Sequence, residues 1–224
     1  MTGTAYDAPV SWSTVIGERY QRSFTTRAAA LIVGGAAVAY DLSGIEPDVR
    51  VRLAVAATVT IALLVVARGD LATVGIARPR PNVRWWLKAT LITGTVFSVI
   101  VLGIAAVLRA TGHTPPVPYI ESAQDFLWRA CVLAPLAEEP IYRIAVCAPL
   151  VTLIGRWPTI VVSCILFALI HARYGGLAPD NALAGLLLGW AYLRSGSILV
   201  PIALHAIGNA LVLGFWLYVA PYVL

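Results

Sequence analysis

Residues 138–143 read Glu138-Glu139-Pro140-Ile141-Tyr142-Arg143 and lie inside the apolar run from Ala130 to Ile154. Two carboxylates and a guanidinium at bilayer depth cost several kcal/mol unless they are paired or hydrated, so they mark a functional site. On a helix each residue advances about 100°. Glu139 and Arg143 are therefore i,i+4 neighbours in the favourable acid-before-base order. Glu138 points about 100° away from Glu139, which leaves it free to meet another group. Pro140 removes one N–H and disturbs the carbonyl of Leu136 beside the acids. A Glu-Arg pair that only fixes packing is the plain alternative, but it leaves the second carboxylate unexplained.

Partners for Glu138 occur later in the chain. His171 follows Phe167 at i,i+4, and Asn209 follows His205 at the same spacing. Carboxylate and imidazoles converging from three helices support two chemistries. Glu138, His171 and His205 can bind a divalent metal, zinc, with one position left for water. Alternatively Glu138 acts as a general base on water held by His171, with His205 and Asn209 as donors to a developing oxyanion. Either route activates water against a carbonyl. Ser163 has no evident activating partner, and the zincin pattern His-Glu-x-x-His is absent. No organic cofactor is expected.

These residues need a membrane scaffold to hold them. The chain has 224 residues, 59% of them hydrophobic and 12% charged, about half the charged share of a soluble domain. Mean hydropathy is +0.82. The expected fold is all-α, a polytopic transmembrane helical bundle of about seven spans (six to eight) around a polar intramembrane cavity. The spans are read at 28–45, 53–67, 86–108, 125–154, 159–171, 182–193 and 198–219. The fourth is long enough to be tilted, or bent at Pro135, Pro140 or Pro149. Residues 1–27 read as a polar arm, and residues 28–224 as one domain whose motif core is 124–215.

The net charge of +5 rests on fifteen Arg and one Lys and reports orientation rather than nucleic-acid binding. Cytoplasmic placement of the N-terminus puts ten basic residues (Arg19, Arg22, Arg27, Arg68, Arg78, Arg80, Arg84, Lys88, Arg156, Arg194) inside and five (Arg50, Arg52, Arg109, Arg129, Arg173) outside, as the positive-inside rule favours. Trp85 and Trp86 close the basic loop as interfacial aromatics. His113, in a proline-rich loop, reads as surface. Cys131, Cys147 and Cys164 lack metal-type spacing and read as small core residues.

Taken together, Glu138-Glu139-x-x-x-Arg143, Phe167-x-x-x-His171 and His205-x-x-x-Asn209, in that order, resemble the CPBP family of intramembrane proteases. That family includes the type II CAAX prenyl endopeptidases and bacteriocin-processing or immunity (Abi) proteins. The similarity covers about residues 70–215, including Gly75-Ile76 and Gly196-Ser197-Ile198. It implies an all-helical membrane fold with a conical cavity and hydrolysis of a peptide bond by activated water. Glu138 takes the place of the base, His171 of its partner, and His205 and Asn209 of the oxyanion donors. Glu139, Arg143 and Phe167 fall in supporting places. The position after the arginine, often small in the family, holds Ile144 and is expected to narrow the space beside the site.

The implied partners are a peptide or membrane-protein substrate and the bilayer, in a bacterial plasma membrane. Two other readings compete with the protease. One is a non-catalytic protein of the same fold that binds a peptide or partner in an immunity or scaffold role. The other is a proton relay or transporter, which also uses buried Glu and His.

Overall fold

The computed structural model describes residues 15–45, 48–112, 120, 122–173 and 179–218. Among these every regular element is helical: α1 Glu18–Gln21, α2 Phe24–Ser43, α3 Val49–Val66, α4 Val83–Ala110, α5 Ala123–Trp128, π1 Arg129–Leu133, α6 Ala134–Glu139, π2 Pro140–Cys147, α7 Ala148–Ile154, α8 Arg156–Arg173, α9 Pro179–Ser195 and α10 Leu199–Tyr218. The chain is an integral membrane protein. Among the described residues, four helices are long and apolar enough to cross a membrane by length and composition: α3, α4, α8 and most of α10. The other three expected spans also fall on helices. Of these, α2 carries Arg27 and Asp41, α9 has 17 residues, and 123–154 alternates α and π geometry.

Local sequence explains most boundaries. Ser23 caps α2 through Thr26 N (3.1 Å), Asp48 caps α3 through Arg50 N (2.7 Å) and Asn82 caps α4 through Trp85 N (2.9 Å). Each side chain satisfies a first-turn amide that has no helical partner. α3 begins at Val49, so Arg52 stands inside the helix and is buried. The expected start of this span at residue 53 leaves Arg52 in an external loop, and the structure corrects that.

The segment 123–154 is shaped by its prolines. Ala134 N donates to Arg129 O, an i→i+5 bond, and the next donor in that pattern would come from Pro135, which has no N–H. The Ala130 carbonyl is thereby orphaned inside the bundle. Pro140 opens π2, where Ala148 N again reaches five residues back to Arg143 O. Pro149 then leaves the Ala145 carbonyl without its i+4 donor. Gly34 of α2 lies against that carbonyl; a Cβ there would collide with it. Small residues permit such backbone approach between membrane helices.

The expected polar arm ends earlier than residue 27. Ile16 and Tyr20 are buried, and Gly17 N donates to Thr73 O (3.0 Å). Tyr20 Oη donates to Leu63 O (3.0 Å), and Arg19 pairs with Asp70 (3.2 Å). Residues 1–14 lie outside the described residues, as does His113. The loop after α3 is pinned to the α9–α10 turn: Tyr192 Oη donates to Val74 O (3.1 Å), Ile198 N to Gly75 O (2.8 Å) and Arg80 N to Ser195 O (2.9 Å). Gly75 has φ +75°, and a Cβ there would strike the Tyr192 ring. Trp86 is buried edge-on against Trp190 and donates to Arg80 O (3.0 Å), so it is a packing anchor more than an interfacial ring. The polar cluster lies toward the other end of the bundle, where α2 ends and α3 begins.

Candidate active site

Glu138 and Glu139 point into two separate polar networks. Glu139 Oε2 accepts from Arg143 Nε at 2.8 Å, the i,i+4 geometry expected. Arg143 Nη1 donates to Ser163 Oγ (2.6 Å), and Ser163 donates onward to Tyr142 O (3.0 Å). Ser163 is fully engaged by the backbone and Arg143. Glu139 and Arg143 are completely buried. Buried charges persist only when paired in this way.

Glu139 also has a second partner. His205 Nδ1 lies 2.9 Å from Glu139 Oε1. A carboxylate oxygen can only accept, so Nδ1 is the donor and Nε2 is directed elsewhere. His205 Nε2 stands 4.0 Å from Glu138 Oε2. His171 follows the same rule: its Nδ1 lies 2.8 Å from the Phe167 carbonyl and donates there, which keeps Nε2 for the site.

Glu138 is not the free carboxylate that the sequence suggested. Arg52 Nη1 donates to Glu138 Oε1 at 3.0 Å. The same guanidinium grips Asp41 with Nε (2.7 Å) and Nη2 (3.1 Å), and Tyr142 Oη donates to Asp41 Oδ2 (2.7 Å). Only Glu138 Oε2 remains: it is buried and has no hydrogen-bond partner.

A cavity of about 520 Å³ adjoins these groups, and Glu138, Phe167, His171, His205 and Asn209 all line it. Its remaining walls are largely apolar, among them Leu187, Leu188 and Leu204, and α4 contributes Thr90, Thr93 and Gly94. Such a cavity suits an apolar ligand with one polar locus. Phe167 joins the parts. Its ring lies 4.5 Å from His171, 5.7 Å from His205 and 5.5 Å from Tyr142 (centroid distances), with the Arg143 guanidinium 5.2 Å from its centre.

Asn209 is committed in part: Nδ2 donates to Ala130 O at 2.6 Å, the carbonyl orphaned by Pro135. One of its two amide hydrogens stays available. Ile144 does not narrow the site. It is buried in the core with Ile16, Tyr20 and Leu63, away from the cavity lining.

The metal expectation can be tested on the donor set. Zinc takes three or four ligands at about 2.0–2.2 Å. Among the described residues no three His, Cys, Asp or Glu form such a group. Arg52 holds one oxygen of Glu138, and Glu139 holds Nδ1 of His205. Glu138, His171 and His205 share one cavity but are not arranged as a ligand set.

The sequence reading missed Asp41, Arg52 and Tyr142. A signal for the first two was present. Opposite charges stand inside consecutive apolar runs, three residues before Gly44 and four after Asp48, so an antiparallel pair of helices brings them level.

Residues 122–211 match the family described as type II CAAX prenyl endopeptidase Rce1-like. No curated protein and no solved structure matches the chain.

Proposed function

From the match of residues 122–211 to the type II CAAX prenyl endopeptidase Rce1-like family, we propose that this chain is a member and an intramembrane endopeptidase in which Glu138 activates water. The observation that carries this reading is Glu138 Oε2. It is a buried carboxylate oxygen without a partner, on a side chain that lines a cavity shared with both histidines. Left empty-handed, such an oxygen is costly. A water molecule that it deprotonates gives it a use.

The chemistry follows from the remaining lone pairs and hydrogens. Water sits between Glu138 Oε2 and His171 Nε2 and donates a hydrogen to each. As its oxygen attacks the peptide carbonyl carbon, one proton passes to Glu138. The carbonyl oxygen becomes an oxyanion. His205, as an imidazolium, donates to it from Nε2, and Asn209 donates its second amide hydrogen. Collapse breaks the C–N bond, and the proton on Glu138 moves to the leaving nitrogen. The products are a carboxylic acid and an amine, and the acid then passes its remaining proton through His171 Nε2 to solvent. Each well-placed donor to the oxyanion is worth about 10²–10³ in rate.

The apolar walls fit a peptide with a hydrophobic or lipidated segment, delivered from the bilayer. The test is a proteomic comparison of cells carrying wild type and Glu138→Ala at equal expression. A membrane protein or peptide cleaved only with the wild type supports the reading and names the substrate. If no cleavage differs while a phenotype of the wild type persists in Glu138→Ala, the protein binds its partner without cutting it.

A further inference from the structure

We propose that Arg52, clamped by Asp41 and Tyr142, is the positioning residue that fixes the Glu138 carboxylate and dedicates Oε2 to the water. The inference rests on the reading of Glu138 as the base. The three residues stand on α2, α3 and π2, and neither Asp41 nor Arg52 lies within the segment matched by the family.

The geometry separates holding from reacting. Arg52 has a planar fork of donors. Two nitrogens are bound to the two oxygens of Asp41, at 2.7 and 3.1 Å, which fixes the plane of the guanidinium. Tyr142 Oη, 2.7 Å from Asp41 Oδ2, fixes Asp41 in turn. The third nitrogen, Nη1, is then aimed at Glu138 Oε1, 3.0 Å away. A carboxylate gripped by one oxygen has its other oxygen set in direction. That oxygen is the one without a partner, 4.0 Å from His205 Nε2. Tyr142 follows Glu138 by four residues, so both face α2 and α3. Glu139 and Arg143, one position further on, face Ser163 and His205. Asp41 and Arg52 are 3% and 8% exposed, so water does not compete for these bonds.

Charge alone does not require this arrangement, because Asp41 already neutralises Arg52. The trio of Asp41, Arg52 and Glu138 carries a net charge of −1 with or without the Asp41–Arg52 pair. That allows a test in which charge is kept and aim is lost. Asp41→Asn with Arg52→Gln replaces the ion pair by two amides that can still bond each other, and the shorter amide at 52 cannot reach Glu138. Arg52→Gln alone leaves two buried carboxylates together and is expected to unfold the protein or empty it from membranes, so the double variant is the informative one.

The probes are an internally quenched peptide ending in an S-farnesylated CAAX sequence and its unprenylated twin, with purified protein in lipid nanodiscs. In the double variant thermal stability stays near wild type, kcat falls about 10²-fold and KM is unchanged, as for a base misplaced by about 1 Å. Arg52→Lys keeps the charge without the fork and gives an intermediate kcat. A double variant with wild-type kcat, or Arg52→Lys with full activity, overturns the positioning role. Glu138→Gln separates this inference from its premise. If that variant turns over the probe that wild type cleaves, the base reading itself falls.

A readout independent of substrate is the infrared band of the Glu138 carboxylate, obtained with ¹³C-glutamate as wild type minus Glu138→Gln. It shifts in the double variant if Arg52 holds it, and an unmoved band counts against the proposal.

Discussion

Glu138 and Glu139 are adjacent, both buried, and held by different arginines. Sequence spacing revealed one of the two pairs. Glu139 and Arg143 are four apart, and a helix settles their contact. Arg52 and Glu138 are 86 positions apart, and only the packing of α3 on α6 brings them together. The same limit hid the bond of Asn209 to Ala130, because nothing in a local pattern says which carbonyl loses its donor to Pro135 and which helix supplies another. The motif histidines were legible as residues, but not the nitrogen that each commits to the scaffold. With Arg52 on Glu138 Oε1 and Glu139 on His205 Nδ1, hydrolysis is expected to withstand metal removal. Treatment of purified protein with 1,10-phenanthroline or EDTA leaves kcat unchanged. Loss of activity that zinc restores would mean that these side chains rearrange around an ion.

Among the elements, the long segment 123–154 departs furthest from a regular pattern. Its prolines predicted disturbance, and the segment contains two π stretches, Arg129–Leu133 and Pro140–Cys147. Each frees carbonyls that Asn209 or the close approach of Gly34 then meets. The helix starts at Ser23, Asp48 and Asn82, whose side chains cap α2, α3 and α4, were open to reading from capping chemistry, although the spans were expected from 28, 53 and 86. The docking of residues 15–22 was not, since Tyr20 and Ile16 stand among charged neighbours and show no apolar run. That docking carries a pH signature outside the bilayer. Partial burial pushes the Asp70 carboxyl up, but hydrogen bonds from Thr73, Arg19 and Ala72 N outweigh it and hold the group below its usual range. Burial, with Asp70 nearby, pushes the Tyr20 phenol up. A depressed carboxyl stabilises the fold above its unfolded value of about 3.9, and that contribution is lost as pH falls through the folded value. Asp70→Asn is therefore expected to lower Tm by about 1–2 °C at neutral pH. The gap to wild type should close below about pH 4. A gap that persists in acid would assign the effect to packing.

At the scale of the molecule, Glu138, His171, His205 and Asn209 are gathered on one cavity. Helix α4 turns Leu91, Ile92, Val96 and Val99 outward and Thr90, Thr93 and Gly94 toward the cavity. One helix thus presents apolar side chains outward and contributes to the cavity. Composition announced a membrane protein, and the order of motifs pointed to the family whose model matches residues 122–211. The assembly of the cavity by α4, α6, α8, α9 and α10 required the fold. The reading as a protease stands on one atom, Glu138 Oε2, of a side chain that lines that cavity, and the most direct measurement is kcat of Glu138→Gln against wild type. The setting is lipid nanodiscs, with the farnesylated and unprenylated peptide probes. The amide keeps an oxygen for Arg52 and cannot take a proton from water. A fall in kcat of about 10³-fold or more is predicted, within the range that a general base supplies, with the folded protein recovered in normal yield. Turnover within a few-fold of wild type would contradict the account.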